Sequence, residues 1–179
     1  MNKYLCAIPS ALLLCFTIAC QDKAAMAELE KFRAQAKVQE QNKEIVKRYW
    51  NGKWNERRFE ILDELQTSDV VNYGTSMKIN NLKEYKQVYG MFLSAFHDTH
   101  LTIEEISAEG DRVMTRVVFR GVQQGALEGI PATGKTVTIS IFTVFRLVNG
   151  KIAEEWEIYD DLGMMQQLGM ELKPKEAKK

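Results

Sequence analysis

The sequence predicts an α+β fold in which N-terminal helices pack on one face of a curved antiparallel sheet. Two observations lead to this prediction. Apolar residues recur at helical spacing up to about residue 96, whereas β-branched and aromatic residues nearly alternate after it. The turn signals Gly110-Asp111 and Asn149-Gly150 separate consecutive strand segments, so neighbouring strands should run antiparallel. Helices first and a strand meander afterwards are typical of α+β proteins.

The composition narrows the classes of function. The chain has 179 residues, enough for one domain with a tail, and carries 24 basic and 24 acidic residues. Because there is neither a basic excess nor a basic face, nucleic acid is not expected as a partner. All three cysteines lie in the first 20 residues, which excludes a disulfide framework or a cysteine-based zinc site in the rest. With only His97 and His100, a histidine-rich metal site is not expected either.

The first 20 residues are typical of an export signal. Lys3 precedes an uncharged, mostly apolar stretch from Leu5 to Ala19, and Phe16-Thr17-Ile18-Ala19-Cys20 resembles a bacterial lipobox. The resemblance implies cleavage of residues 1–19 and lipidation of Cys20, so that acyl chains alone would hold the protein to the membrane. Gln21, where inner-membrane lipoproteins carry aspartate, implies an outer-membrane anchor facing the periplasm. A plain secretory signal with an incidental cysteine is the alternative.

The first half of the mature chain is predicted to be mainly helical. Residues 20–41 form a polar, partly helical tether, rich in Ala, Glu, Lys and Gln. A buried helical stripe around Trp50 should end at Asn51-Gly52. The following elements are a helix over Glu56–Leu65, a short strand over Asp69–Tyr73 and a helix over Asn81–Phe96.

The second half should form the meander. We predict strands over Thr99–Ile106, Arg112–Gln123, Thr136–Val148 and Lys151–Tyr159, with a Gly/Pro-rich loop between the middle pair. A short segment around Leu162–Leu168 closes the domain, and residues 171–179 form a charged tail.

Several segments resemble the SnoaL-like polyketide cyclase or ester-cyclase family. They are IVKRYWNGKWNERRFEILDELQTSDVVNY at 45–73, the run at 100–134 with the piece AEGDRV and the piece GIPATGK, which extends to Lys135, and FRLVNGKIAEEWEIYDDLGMMQQLG at 145–169. The resemblance implies a domain over 42–170 that folds as a cone-shaped α+β barrel of the nuclear-transport-factor-2-like superfamily. It also implies a deep apolar pocket, a homodimer, and ring closure by cofactor-free aldol condensation at one carboxylate.

The same resemblance assigns candidate catalytic residues. Glu157 fills the position of the family's catalytic aspartate, Asn72 matches a polar residue near the pocket floor, and Asp98 and His100 match an Asp-x-His pair. Thr143 stands where some cyclases carry histidine. Each residue has a structural alternative: a solvated acid for Glu157, a self-bonded strand end for Asn72, and a brace for the helix–strand corner for His100.

The face on which Glu157 lies depends on the turn at Asn149-Gly150. A two-residue turn pairs Val148 with Lys151 and turns Glu157 away from the apolar face of the preceding strand. A three-residue loop with a bulged glycine pairs Leu147 with Lys151 and places Glu157 on that face. The resemblance requires the second register, which we predict; Trp156 and Ile158 would then point outward, where they could form a dimer interface.

The predicted pocket wall combines the third helix with the apolar strand face and comprises Tyr85, Tyr89, Phe92, Ile139, Ile141, Thr143, Phe145 and Tyr159. Two functions stay open. The protein is either a lipid-anchored domain that performs acid/base chemistry on a small, largely apolar molecule, or a lipoprotein that binds such a molecule or assembles without chemistry.

Overall fold

The computed structural model describes residues 9–74, 77–171 and 173, with side chains described from Lys23 onward. Residues 1–8 of the predicted signal peptide, the side chains up to residue 22, that of Cys20 included, and most of the charged tail therefore lie outside the described residues. The chain divides into two units, Met1–Val38 and Gln39–Lys179. No helix within the described part is apolar over enough length to span a bilayer.

The helices are α1 (Pro9–Trp50), α2 (Ile61–Leu65), α3 (Leu82–Ala95) and α4 (Asp161–Leu168), with a π-helical turn at Asn51–Asn55. Residues 23–38 of α1 are exposed along their whole length, in keeping with a polar segment, although they are helical throughout rather than in part. The first buried side chain is Asn42, whose amide donates to the carbonyl of Gly110. Asn81 caps α3 by accepting from the Glu84 amide.

The α-helix ends at Trp50, immediately before the predicted stop at Asn51-Gly52, but the chain then continues through a π-helical turn that was not predicted. Gly52 is needed for close packing: a Cβ at this position would lie 2.7 Å from Cγ1 of Ile61. The Tyr89 hydroxyl donates to the carbonyl of Lys53 and holds the turn from the α3 side. The extra turn directs Lys53 and Trp54 into the protein interior.

Six strands form one sheet: β1 (Gln66–Tyr73), β2 (Lys78–Ile79), β3 (Phe96–Glu109), β4 (Arg112–Gln123), β5 (Thr136–Val148) and β6 (Lys151–Tyr159). Their order is β2-β1-β6-β5-β4-β3. The α+β prediction is confirmed, and the predicted bounds of β4, β5 and β6 agree with the structure. Other details differ: β1 and β3 begin earlier than predicted, β2 was not predicted, the sheet is open at β2 and β3 rather than closed, and β1 pairs with β6 in parallel.

The register of β5 and β6 combines the two predicted alternatives. Asn149 and Gly150 have φ angles of 50° and 75°, and Val148 pairs with Lys151, so the two-residue turn forms and the predicted three-residue loop is wrong. Leu147 then pairs with Ile152 while Arg146 pairs with Glu154, which leaves Ala153 as an extra residue in a β-bulge. The bulge reverses the alternation of β6. From Glu155 onward, the strand has the predicted orientation.

The core lies between the helices and the inner face of the sheet. Trp50 and Tyr49 at the end of α1 pack edge-on against Phe145 of β5, and all three are fully buried. Trp54 packs against Phe119 of β4 in the same manner. These contacts fix the end of α1 and the π-helical turn over β4 and β5, where the sheet and α3 leave a pocket between them.

Candidate functional site

The pocket lies between the sheet and α3 and is open to solvent on one side. Its walls are mostly aromatic and aliphatic, as is usual for small-molecule sites. Six residues of the predicted wall line it: Tyr85, Tyr89, Phe92, Ile139, Ile141 and Tyr159. The candidate residues Asn72 and Glu157 also line it, together with Lys53, which the sequence analysis did not single out.

Three residues of the predicted site lie elsewhere. Phe145 belongs to the closed core against Tyr49 and Trp50, and Thr143 is buried beside Glu157 without lining the pocket. His100 is exposed on β3, next to the buried Leu101. Because side chains alternate along a strand, the inward direction of Leu101 turns His100 to solvent.

Glu157 is the carboxyl group that faces the pocket from β6. It is half-buried, and the hydroxyl of its strand neighbour Thr143 donates to Oε2 at 3.5 Å. Burial raises the pKa of Glu157 above its usual value; the nearby Lys53 opposes this shift, and Glu155 adds to it. A carboxyl group with a raised pKa in an apolar pocket is suited to proton transfer.

Glu155 is the second inward carboxyl group of β6, and its exposed fraction is 0%. Its Oε1 accepts from Nε2 of Gln66 at 2.7 Å, and its Oε2 accepts from Nδ2 of Asn72 at 3.0 Å and from the Tyr85 hydroxyl at 2.9 Å. All three partners are hydrogen-bond donors, which matches a carboxylate whose two oxygens only accept. Glu155 is therefore held in place by hydrogen bonds from β1 and α3.

Asn72 has a different contact from the one expected of either alternative. Its amide donates to Glu155 across the parallel β1–β6 pair, in which the two residues are direct neighbours. It neither bonds its own strand end nor stands free to meet an oxyanion with both hydrogens. In the structure, the Asn72 amide holds the Glu155 carboxylate in place.

Lys53 lies on the π-helical turn with only 5% of its surface exposed. Its Nζ donates to the hydroxyl groups of Tyr85 at 2.8 Å and Tyr49 at 3.2 Å. The ammonium group lies 4.9–5.5 Å from the centroids of five aromatic rings, those of Tyr49, Trp50, Trp54, Tyr85 and Tyr89. Burial lowers the pKa of Lys53, and the charges of Glu157 and Glu155 oppose that shift.

Two tyrosine hydroxyls connect Lys53 to Glu155. The hydroxyl oxygens of Tyr49 and Tyr85 are 2.6 Å apart. Since Tyr85 gives its only hydroxyl hydrogen to Glu155, its oxygen must accept from both Tyr49 and Lys53. Burial raises the pKa of both tyrosines well above the usual value, so both remain neutral donors. We refer to Lys53, Tyr49, Tyr85, Gln66, Asn72 and Glu155 as the polar network.

Two of these residues have recognisable signals in the sequence. The buried stripe Val46, Tyr49 and Trp50 extends at helical spacing to Lys53, provided that the helix does not end at Gly52. Glu155 precedes Glu157 by two positions and must share its strand face. Among the described residues, no group of three or more His, Cys, Asp or Glu side chains is placed to hold a metal ion.

Several solved structures have a fold similar to that of this chain. A SnoaL-like candidate polyketide cyclase from Jannaschia sp. CCS1 aligns with a TM-score of 0.70 at 21% identity, over 75% of this chain and 96% of that one. IdmH, a candidate polyketide cyclase from Streptomyces antibioticus, is 27% identical with a TM-score of 0.62, over 72% of this chain and 99% of that one. An LEH-like epoxide hydrolase from M. tuberculosis is 17% identical with a TM-score of 0.60, over 73% and 91%.

No protein of curated function matches the sequence. The family model described as SnoaL-like polyketide cyclase matches residues 44–168, which comprise the π-helical turn, α2, α3, all six strands and α4. The match includes every residue of the pocket wall and of the polar network. The chain therefore belongs to the SnoaL-like polyketide cyclase family.

Proposed function

We propose that the pocket binds a small, largely apolar molecule and that Glu157 acts on it as a cofactor-independent general acid/base. The observation that carries the proposal is the contrast between the two inward carboxyl groups of β6. Glu155 is occupied by three donors, whereas among the described residues Glu157 receives only the long contact from Thr143, and it faces the pocket. Glu157 is thus available to a ligand.

The surroundings of Glu157 favour removal of a proton from carbon. The raised pKa makes the carboxylate a stronger base than a solvated glutamate, and the buried side chains of Ile139 and Ile141 give the pocket an apolar wall. The aromatic ring cluster at the other side is already occupied by the ammonium group of Lys53, so a cationic ligand is disfavoured. Cyclisation or isomerisation of an enolisable carbonyl compound suits these features.

Replacing Glu157 by Gln tests this proposal. We expect the variant to bind 2-tetralone, an apolar enolisable ketone, but to lose its catalysis of hydrogen–deuterium exchange at the ketone's α-carbon by about 10²–10⁴-fold, as measured by NMR. Glu154→Gln is the matched control, because Glu154 pairs with Arg146 away from the pocket. Exchange by the wild type with no loss in Glu157→Gln would refute the role of Glu157. Binding with no exchange by the wild type would favour a purely ligand-binding protein.

We propose further that Cys20 carries a lipid anchor, on the basis of the lipobox-like ending of the apolar segment. Bacterial cells that express Cys20→Ser should release the protein from the membrane fraction or accumulate the unprocessed chain. Incorporation of labelled palmitate, with the wild type as control, measures the modification directly. A membrane-bound Cys20→Ser protein of mature mass would contradict the anchor.

A second copy of the chain is the proposed occupant of the outer sheet face. Phe142 and Ile158 are cross-strand partners there, 55% and 68% exposed, and Met114 lies two strands from Ile158 on the same face. Trp156 is less open than predicted, because it stacks on Tyr73. No described helix covers these side chains, and exposed apolar groups of this size usually mark a contact.

The dimer is tested by placing charges on this face. Phe142→Glu and Ile158→Glu together should convert the protein to a monomer in sedimentation equilibrium, while the circular dichroism spectrum stays unchanged. Met91→Glu alters an equally exposed apolar residue on α3 and should leave the dimer intact. A wild-type protein that is monomeric at high concentration would eliminate this interface.

A further inference from the structure

We propose that Lys53 is a second catalytic residue of the pocket, the cationic donor that binds the ligand oxygen on which negative charge develops. The inference rests on the proposed function, since it assumes a ligand beside Glu157. It adds a partner for the base: Glu157 accepts the proton, and Lys53 receives the oxyanion.

The backbone at Lys53 is built to direct this side chain inward. A π-helical turn at Asn51–Asn55 follows the regular part of α1. Such turns are rare in proteins, and those that occur are often found at functional sites. The turn is held by the Tyr89 hydroxyl and by the approach of Ile61 to Gly52. Burying a lysine costs free energy, which a purely structural turn would avoid with an apolar residue at this position.

The hydrogen bonds of Lys53 leave one donor for a ligand. An ammonium group has three hydrogens, and two of them go to Tyr49 and Tyr85. Within the described part of the chain, Lys53 forms no other hydrogen bond and no ion pair with a carboxylate within 4.0 Å. Its charge is therefore not neutralised by direct contact, although the side chain lines the pocket.

The acids near Lys53 favour its protonated form and so oppose the effect of burial, which lowers its pKa. Tyr49 and Tyr85 remain neutral, and Glu155 lies on the far side of Tyr85, one hydrogen bond beyond the ammonium contact. Glu157, the remaining acid of the group, lines the same pocket. Before reaction, its carboxylate and Lys53 balance each other across the ligand.

The proposed step keeps that balance. Glu157 removes a proton from the carbon next to a ligand carbonyl: the C–H bond breaks and an O–H bond forms on Glu157. The C–H electron pair becomes a C=C bond, and the carbonyl π pair moves to the oxygen as an enolate. The negative charge thus moves from Glu157 to the oxygen, where the ammonium group of Lys53 stabilises it. No oxidant, reductant or metal takes part.

The experiment uses an apolar ligand and its oxygen-bearing analogue. Naphthalene probes the pocket alone, and 2-naphthol probes the oxygen site, because its naphtholate form resembles an enolate. Binding is measured by fluorescence, and ionisation of bound 2-naphthol by its absorption spectrum as a function of pH. The wild type should lower the pKa of bound 2-naphthol by about 1–3 pH units through the nearby positive charge. Lys53→Met should abolish that shift while naphthalene still binds.

Three further proteins keep the result interpretable. Glu157→Gln should retain the shift, which would assign it to Lys53 and not to the neighbouring acid. Lys86→Met, a change on α3 outside the pocket, should behave as the wild type. Lys53→Gln retains a neutral donor and should give a smaller shift if Lys53→Met does not fold.

The outcomes separate the two proposals. If naphthalene binds but the wild type leaves the pKa of bound 2-naphthol unchanged, the role of Lys53 is refuted and the pocket remains. A shift that persists in Lys53→Met, or in Lys53→Gln without reduction, also refutes it. If neither molecule binds to the wild type, the ligand-binding proposal fails and the role of Lys53 fails with it.

Discussion

Glu155→Ala is expected to lower the free energy of unfolding by about 3–5 kcal/mol, the cost typical of removing one partner from a buried charged cluster. Glu155 is fully buried and accepts from Gln66, Asn72 and Tyr85. Alanine would remove the acceptor of all three hydrogen bonds. An unsatisfied buried donor costs free energy even when no cavity forms.

Urea denaturation of the purified protein measures this loss. Glu154→Ala is the matched control on the same strand, because it breaks only the part-exposed pair with Arg146 and should cost at most about 1 kcal/mol. Glu155→Gln retains the shape but replaces one acceptor oxygen by a donor, so its loss should fall between those of the other two variants. Equal stability of Glu155→Ala and Glu154→Ala would show that the polar network contributes nothing to folding.

The sequence was sufficient for the architecture because the two periodicities are strong. Helical spacing around Trp50 and near alternation along β4 and β5 identify which faces are buried, and those faces determine the α+β packing. The parallel pairing of β1 with β6 has no comparable local signal. It depends on where the end of the meander meets a strand some 80 residues earlier, which is a property of the assembled sheet.

The site was harder to predict because the chain departs from simple patterns at two places: the helix end at Gly52 and the side-chain alternation along β6. Asn51-Gly52 has the composition of a helix end, yet Gly52 serves the close approach of Ile61, and the additional turn carries Lys53 into the pocket. The turn at Asn149-Gly150 follows its local preference, and the bulge at Ala153 then restores the face of Glu157. Departures from local preference are expected at functional sites, where chemistry and not stability selects the residue.

Glu157→Gln is expected to stabilise the protein near neutral pH while it removes the proposed activity. The folded-state pKa of Glu157 is raised above the unfolded value, mainly because burial penalises the charged form. At pH values below the unfolded pKa, the group is protonated in both states and costs nothing. As the pH rises through the folded pKa, the unfolded state ionises more readily, and wild-type stability falls. Glutamine has no such titration.

The stability gain of Glu157→Gln over the wild type should therefore be larger at pH 7 than at pH 4. It should grow by about 1.4 kcal/mol for each pKa unit that separates the folded and unfolded states. Attraction to Lys53 reduces the pKa shift without reversing its direction. Urea midpoints of the two proteins between pH 4 and pH 8 measure the difference, with Glu154→Gln as the control that lacks it. A gain that is constant across this range, or larger at pH 4, would mean that Glu157 is well solvated. A gain that grows with pH, together with lost exchange, would identify Glu157 as a residue retained for chemistry at the expense of stability.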